Sequence, residues 1–488
     1  MWRAFLVVTL FVIESNANDC VPRSLGPDRI VCVCNATYCD GLPENHSEVP
    51  TDGSSNWYIS NKEGFRLKRA TVEFQNYKEN PACNITIVVN STKKYQQILG
   101  FGGAFTDSTG INIKKLSPGA QENLMRTYYD PKTGSGYTLG RIPIGGTDFS
   151  TRPYTYDDTS NDTSLEHFAL APEDYQYKIP FVKKALELNP SVKLFSAAWS
   201  APAWMKTDNK LNGFGGFLKK QYYQLYCDYL LKFLDAYKKY GLKIWAVSTG
   251  NEPADALVPF DPLNNMGWSP ESMAIFIADY LGPTLAKSDH KDTIILALDD
   301  QRIYIPWYIY LVFLNEKARE YTAGADKFLL MTEACIGSQS LIKVDPGSWE
   351  RGEIYMLSII EYMNNWYVGW NDWNLALDLK GGPTWIGNNV DSPILVNADT
   401  DEFYKQPMYY ALNHVSGFVD TGSYRVDIGG TTDSIHGVAF VAPSNKTTIV
   451  LYNKDKVAHK VLLRDVQKDN KDTLSLELSP QSMNTFVY

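Results

Sequence analysis

The chain has 488 residues, a formal net charge of −9 at pH 7 and 13% aromatic residues. This length exceeds what one hydrophobic core usually serves, so we expect one large domain with one or two smaller ones. Because no long basic run occurs, the composition excludes the clustered Lys/Arg surface of a nucleic-acid-binding protein, and we expect no nucleic-acid partner.

Residues 1–17 have the form of a secretory signal peptide. Arg3 precedes an apolar run from Ala4 to Ile13, and Ser15-Asn16-Ala17 supplies small residues for cleavage. The run is too short to span a bilayer and no later stretch is long enough, so we expect no transmembrane segment. Six Asn-x-Ser/Thr sequons predict glycosylation along this route: Asn35, Asn45, Asn84, Asn90, Asn161 and Asn445.

Four of the seven cysteines lie within twenty residues, at Cys20, Cys32, Cys34 and Cys39. In an oxidising compartment this spacing predicts two local disulfides. A zinc knuckle is the rival interpretation, and the absence of histidines at ligand spacing argues against it, so we expect no metal. The remaining Cys83, Cys227 and Cys335 are interpreted as buried thiols.

Short alternating segments follow the cysteines and predict antiparallel β structure. They are Trp57–Ser60, Arg69–Gln75 and Ile85–Asn90. From about Tyr95 the pattern changes to apolar strands that alternate with amphipathic helices. The predicted strands are Ile98–Ala104, Tyr137–Pro143, Val192–Trp199, Lys243–Thr249, Thr293–Asp299, Phe328–Thr332 and Tyr367–Leu375. The predicted helices are Gln121–Tyr129, Glu173–Leu188, Lys219–Tyr240, Pro270–Ala286, Pro306–Tyr321 and Trp349–Asn364. This alternation, with polar residues after the strands, predicts a (β/α) barrel.

Beyond Tyr410 short β segments return, up to Thr485–Tyr488. A β-sandwich completed by the early β segments is the simplest interpretation, with the barrel inserted between its two halves. We therefore expect an α/β protein with four parts: a signal peptide (1–17), a cysteine-rich β segment (18–43, packing with about 376–407), a β-sandwich (44–93 with 423–488) and a catalytic barrel (94–375 with 408–422).

Two of the predicted strands end on a glutamate. Trp245–Ser248 leads into Asn251-Glu252-Pro253, and Phe328–Thr332 leads into Glu333. A single glutamate at a strand end is more often an ordinary surface residue. A pair at the carboxyl ends of barrel strands, however, is typical of glycosidases, which need one protonated and one ionised carboxyl group.

The chain resembles the lysosomal glucosylceramidases, also called acid β-glucosidases, from the cysteine cluster to the C-terminus. The most specific matching segments are Val31–Asp40, Gly100–Ala104, Leu298–Arg302, Glu333–Cys335, Asp372–Leu377 and Phe403–Met408. The resemblance implies Glu252 as general acid/base and Glu333 as nucleophile. It also implies sugar contacts from Asp148, Trp199, Asn251, Trp373 and Asn388, with Arg141 supporting the site.

The resemblance further implies a retaining mechanism on glucosylceramide without a metal or organic cofactor. The implied partners are the lipid substrate, a saposin-type activator protein and an anionic lipid surface. The implied location is the lysosome, reached through the secretory pathway, or the extracellular space.

One interval departs from this family pattern. Only thirty-five residues separate Thr293 from Phe328, which is enough for one strand and one helix but not for two such units. We therefore predict that barrel strand six is missing and that the strands ending in Asp299 and Glu333 flank a defect in the wall. Impaired activity is expected. The alternatives are a catalytically impaired glycolipid-binding paralogue, a splice or gene-model variant, and another retaining β-glycosidase of the same clan.

Overall fold

The fold is described from a computed structural model of the full chain. The structure describes residues 19–51, 53–75, 83, 85–259, 262–322, 327–467 and 473–488. The predicted signal peptide and the sequon at Asn84 lie outside these residues. Within them, no helix is long and apolar enough to cross a membrane.

The strands, in chain order, are β1 (Pro22–Gly26), β2 (Arg29–Asn35), β3 (Ser54–Asn61), β4 (Lys68–Glu73), β5 (Ile85–Gln97), β6 (Gly100–Ala104), β7 (Leu139–Ile144), β8 (Lys193–Ala198), β9 (Ile244–Ser248), β10 (Ile294–Leu296), β11 (Leu329–Met331), β12 (Tyr367–Asn374), β13 (Leu377–Asp378), β14 (Ile394–Asn397), β15 (Glu402–Lys405), β16 (Tyr424–Gly429), β17 (Ile435–Val441), β18 (Thr447–Asn453), β19 (His459–Asp465), β20 (Thr473–Leu478) and β21 (Ser482–Val487). The α-helices are α1 (Asp107–Lys114), α2 (Pro118–Tyr129), α3 (Ile179–Leu188), α4 (Tyr223–Lys239), α5 (Pro270–Ile275), α6 (Gly282–Ala286), α7 (Tyr310–Phe313), α8 (Glu316–Tyr321), α9 (Trp349–Asn364) and α10 (Pro407–Ser416).

The cysteine-rich segment forms a five-stranded sheet with a later part of the chain. Its strand order is β1-β2-β15-β14-β13, and β2 pairs antiparallel with β15. Disulfides join Cys20 to Cys32 and Cys34 to Cys39, so both predicted local crosslinks are present. Each bridge closes a short loop in a segment that has little core of its own, which restricts the unfolded chain.

Strands from both chain ends share a nine-stranded sheet of order β20-β19-β5-β16-β17-β18-β21-β3-β4. For example, β21 near the C-terminus lies antiparallel between β18 and β3. The apolar side chains of this sheet, including Trp57, Ile87 and Phe486, form a separate core cluster. The prediction of an all-β part built from the two chain ends is confirmed, while the exact domain boundaries stay a prediction.

The barrel strands form a seven-stranded parallel sheet of order β10-β9-β8-β7-β6-β12-β11. Its edges are β10 and β11, as predicted from the short interval between them. In the part of the chain that the structure describes, β10 pairs with β9 and β11 pairs with β12, but β10 and β11 do not pair with each other. A single parallel bridge from Thr322 to Ile295 is the nearest approach to a further strand among these residues.

The helix predicted at Pro306–Tyr321 is interrupted. The structure divides its C-terminal part into α7 and α8, and Asn315 caps α8 by accepting a hydrogen bond from the backbone N–H of Ala318 at 3.2 Å. An asparagine favours this arrangement because its side chain satisfies a free N–H group at a helix start. The prediction also missed α1, which Thr106 caps through the N–H of Thr109, and α10, a helix buried along its whole length.

Candidate active site

The site lies at the carboxyl ends of the parallel barrel strands. Asn251 and Glu252 follow β9, Asp299 follows β10 and Glu333 follows β11. Arg141 lies within β7 and is fully buried. Because parallel strands end at the same edge of a sheet, four segments distant in sequence converge here.

Arg141 is the centre of this convergence. One of its terminal nitrogens donates to Glu333, and the other donates to Asn251 at 2.7 Å and to Asp299 at 2.9 Å. Its guanidinium also lies over the rings of Trp199 and Trp373, 4.9 and 5.5 Å from their centroids. A planar guanidinium with fixed donors can hold three side chains in one arrangement, so Arg141 sets the orientation of Glu333.

The backbone holds Glu252 in a conformation that is uncommon for a residue with a side chain. Its φ is 38°, in the left-handed region, and its N–H donates to the carbonyl of Asp299 at 2.7 Å. The Gln301 amide donates to its carboxylate at 2.5 Å. Such strained backbone persists only when neighbours determine it, and here the contacts with Asp299 and Gln301 supply that constraint.

Burial raises the pKa of Glu333 to about 8; the Glu252 and Asp148 carboxylates add to the rise and Arg141 opposes it. Burial also raises the pKa of Glu252, and Asp299 adds to that rise. Since two neighbouring carboxylates repel each other when both are ionised, the pair takes up its first proton at a higher pH than an isolated glutamate does. Glu333 has the direct guanidinium contact and Glu252 a neutral amide contact, so the geometry favours the charge on Glu333 and the proton on Glu252.

A polar and aromatic group flanks the carboxylates on the side of β7, β8 and β12. The rings of Trp199 and Trp373 stack with centroids 5.0 Å apart and planes inclined by 24°. Asn388 donates to the Asp148 carboxylate at 2.9 Å, and burial raises the pKa of Asp148 to about 7. Flat apolar faces beside hydrogen-bonding groups suit a sugar ring, which has both kinds of surface.

The structure therefore brings together all eight residues predicted for the site. Sequence reasoning missed the contacts of Gln301 and Thr332, although each lies within a segment that was singled out, Leu298–Arg302 and Phe328–Thr332 respectively. Thr332 donates to Asp299 at 2.5 Å. The sequence indicated these roles only through position, because each residue lies close to a carboxylate at the end of a strand.

No candidate metal centre overlaps these carboxylates in the described residues. There, the group of three close His, Cys, Asp or Glu side chains consists of Cys34, Cys39 and Asp40. The two cysteines are joined to each other as a disulfide, so their sulfurs are not free as ligands. The arrangement at the strand ends can instead supply an ionised carboxylate, a proton donor and a platform for a sugar.

Comparisons with known proteins agree with this chemistry. A family model described as glycosyl hydrolase family 30 TIM-barrel domain matches residues 98–327 and 324–419, and the family 30 beta sandwich domain matches 422–486. The two barrel matches overlap at 324–327, inside the short interval between β10 and β11.

The lysosomal acid glucosylceramidase of Mus musculus is 38% identical over 490 aligned residues, which cover 94% of each chain. Two solved structures are each 28% identical and cover 89% of this chain and 99% of their own. They are SrfJ from Salmonella typhimurium, with a TM-score of 0.82, and the endo-beta1,6-glucanase BT3312, with a TM-score of 0.79.

Proposed function

The chain belongs to glycosyl hydrolase family 30, and from this premise we propose that it is a retaining β-glucosidase that hydrolyses glucosylceramide to glucose and ceramide. That the protein is a glycoside hydrolase follows from the family. The lipid substrate is proposed from the name of the mouse relative. The observation that carries the mechanism is the unequal environment of the two glutamates, with Arg141 on Glu333 and a neutral amide on Glu252.

In the first step, the Glu333 carboxylate attacks the anomeric carbon of glucose. The bond from that carbon to the ceramide oxygen breaks, and Glu252 gives its proton to the departing oxygen. The product is a glucosyl ester on Glu333 and free ceramide. Retaining enzymes hold the two carboxyl groups about 5–5.5 Å apart for this attack.

In the second step, Glu252 acts as a base. It takes a proton from water, whose oxygen attacks the anomeric carbon and breaks the ester bond to Glu333. Glucose leaves with the β configuration, because two inversions restore the original one. Raised pKa values suit this double role, since Glu252 must hold a proton in one step and accept one in the next.

Asp148 and Asn388 are proposed to hydrogen-bond the glucose hydroxyls, with Trp199 and Trp373 against the ring and Asn251 near the reacting carbon. The steps need no metal or organic cofactor. Arg141 does not act on the sugar in this scheme. It stabilises the charge on Glu333 and holds the carboxylate in position for attack.

We propose that turnover is slower than in closed-barrel relatives. The strand carrying Glu333, β11, is paired on one side only in the described residues, so that side of the site has fewer backbone constraints. Displacements of about 1 Å at a reacting group can cost on the order of a hundredfold in rate. Full-rate hydrolysis with ordinary thermal stability would show that the fold absorbs the missing strand.

Delivery to lysosomes through the secretory pathway, or secretion, is proposed from the signal-like N-terminus, the two disulfides and the lysosomal relative. Three exposed sequon asparagines, Asn45, Asn161 and Asn445, are placed to accept glycans. A saposin-type activator and an anionic lipid surface complete the proposed partners, because glucosylceramide is presented from a membrane.

Proton NMR of the first product tests the reaction. Incubation with a β-glucoside should give β-glucose first, with the α anomer appearing only through mutarotation. Initial formation of α-glucose would contradict the retaining mechanism.

Two other functions are distinguishable by substrate. The BT3312 structure supports a polymeric β-1,6-glucan as the rival substrate, and preferential cleavage of that glucan over glucosylceramide would favour it. The opening beside β11 supports a glycolipid-binding protein without turnover. Binding of glucosylceramide with no product, at enzyme concentrations equal to substrate, would favour that function.

A further inference from the structure

We propose that the opening between β10 and β11 is a binding slot for a hydrocarbon chain carried by the leaving group. This inference rests on the proposed function, since it concerns the part of a glucoside substrate beyond the sugar. A slot between two edge strands that do not pair in the described part of the chain would set a chain-length preference specific to this protein.

The opening contains a cavity of about 350 Å³, lined in the described part of the chain by residues of β10, of β11 and of the segment that leads into α7. This volume falls in the range of about 300–1,000 Å³ that small-molecule sites have. One end is polar and includes Asn251, Glu252 and Glu333. Most of the other lining residues are apolar and include Ile295, Leu298, Ile305, Ile309, Phe313 and Tyr367, although Asp299, Asp300, Gln301 and Arg302 also line the cavity. One continuous cavity therefore joins the two catalytic carboxylates to a hydrocarbon-like interior.

The cavity extends from the two catalytic carboxylates away from the proposed sugar-contact residues of β7, β8 and β12. None of the proposed sugar-contact residues from the opposite side, Asp148, Trp199, Trp373 and Asn388, lines it. Glu252 does line it, and Glu252 is the group proposed to protonate the leaving oxygen. A sugar held against the tryptophans would therefore direct its aglycone past Glu252 into the space between β10 and β11.

The segment before and within α7 forms the outer wall. Ile305, Ile309 and Phe313 are four residues apart in sequence, so they lie on one helical face, and all three line the cavity. The opposite face is also apolar but exposed: Trp307, Tyr310 and Leu314 are 50%, 64% and 64% exposed. A helix that is apolar on all sides suits an environment with hydrocarbon on both faces.

The two ends of the slot differ in chemistry. At the catalytic end, Thr332 donates a hydrogen bond of 2.5 Å to Asp299 and so joins the ends of the two strands. The slot therefore opens there on the side of the catalytic carboxylates. At the far end, the Lys327 ammonium lies 4.8 Å from the centroid of the Phe313 ring. An alkyl chain has no polar groups to satisfy, so it can fill the apolar length between these ends without a desolvation cost.

The test is a series of alkyl β-D-glucosides from methyl to octyl, used below their micellar concentrations. Binding is measured by calorimetry on Glu333→Gln, which does not turn the ligands over, and kcat/KM is measured on the native chain. Each added methylene should raise the affinity by about three- to fourfold until the slot is full. Ile309→Trp, which fills the slot, should abolish this gain, whereas Tyr310→Trp on the exposed face should keep it.

A chain-length gain that is absent, or that survives in Ile309→Trp, would overturn the proposal. Should Ile309→Trp fail to fold, Phe313→Ala removes bulk instead and should extend the gain to longer chains; an unchanged limit in that variant would overturn the slot as well. If binding shows the gain but the native chain hydrolyses none of the glucosides, the slot is supported and the proposed glucosidase function fails.

Discussion

The Thr332 hydroxyl donates a hydrogen bond of 2.5 Å to the carboxylate of Asp299, across the opening between the two edge strands of the barrel sheet. Asp299 also accepts from Arg141, which in turn contacts Glu333. Side chains thus connect β10 to β11 at the catalytic end, where backbone pairing does not. This connection explains how Glu252 and Glu333 can lie in one site although the strands between them, β10 and β11, are not paired with each other in the described residues.

Thr332→Val should break the connection while keeping the side-chain shape. A hydrogen bond to a charged group contributes about 1.5–3 kcal/mol, so we expect a lower melting temperature and a fall in kcat of about tenfold or more. The matched control is Thr332→Ser, which keeps the hydroxyl and should retain most of the activity. Equal activity of the valine and serine variants would show that this contact does not hold the site.

Asp299→Asn should move the alkaline limb of the pH profile of kcat/KM to lower pH. The Asp299 carboxylate raises the pKa of Glu252, so its removal lowers that pKa, and the general acid then loses its proton at a lower pH. The control is Asp289→Asn, because the Asp289 side chain is 85% exposed and far from the site. An alkaline limb that stays in place, or moves up, would contradict the assignment of Glu252 as the acid.

The protein should be more stable at pH 5 than at pH 8. Burial raises the pKa of Asp372 to about 8 and that of Asp148 to about 7. Since these groups bind protons more tightly in the folded state, their contribution is fully present at low pH and is lost as pH rises through the folded pKa. His414 has the opposite effect on stability below about pH 6.5. Burial lowers its pKa to about 3, so in that range the unfolded chain binds a proton that the folded chain does not.

Thermal unfolding monitored between pH 5 and pH 8 measures this effect. Asp372→Asn replaces a carboxyl that is largely protonated in the folded state by a neutral group of the same shape. We expect the drop in melting temperature between pH 5 and pH 8 to be smaller in this variant by about 2 °C or more. A native protein whose melting temperature rises towards pH 8 would contradict the raised pKa values.

The sequence identified the strands and carboxylates because these depend on local pattern. Apolar runs that end in polar residues predicted β9 and β11. The short interval before Phe328 predicted the open edge of the sheet beside β11. The break at Asn315 was missed because the predicted helix ran on from the apolar residues 306–314 into the mostly polar residues 315–321, although an asparagine at that change of composition is a helix-start signal.

The contacts that hold the site together could not be predicted in the same way. Thr332 and Gln301 are ordinary residues in sequence, and their roles depend on the three-dimensional approach of β10 to β11 and of Gln301 to Glu252. The left-handed backbone of Glu252 is likewise imposed by tertiary packing. Propensity gives no sign of it, since glutamate rarely adopts that conformation.

Thiol counting tests the cysteine pairing. Under denaturing and non-reducing conditions the protein should titrate three thiols, from Cys83, Cys227 and Cys335, and full reduction should release seven. Replacing Cys20 and Cys32 together by serine should lower the free energy of unfolding by about 2–4 kcal/mol, because a closed loop is lost. Seven thiols before reduction, or stoichiometric zinc, would contradict the disulfides.

The central claim is that Glu333 forms a covalent bond to the sugar while Glu252 transfers protons. The most direct measurement is trapping with a 2-deoxy-2-fluoro-β-glucoside that has an activated leaving group, followed by mass spectrometry of the digested protein. We predict one added fluoroglucosyl group on Glu333 in the native chain and in Glu252→Gln, and none in Glu333→Gln. A label on another residue, or equal loss of labelling in both variants, would contradict the account.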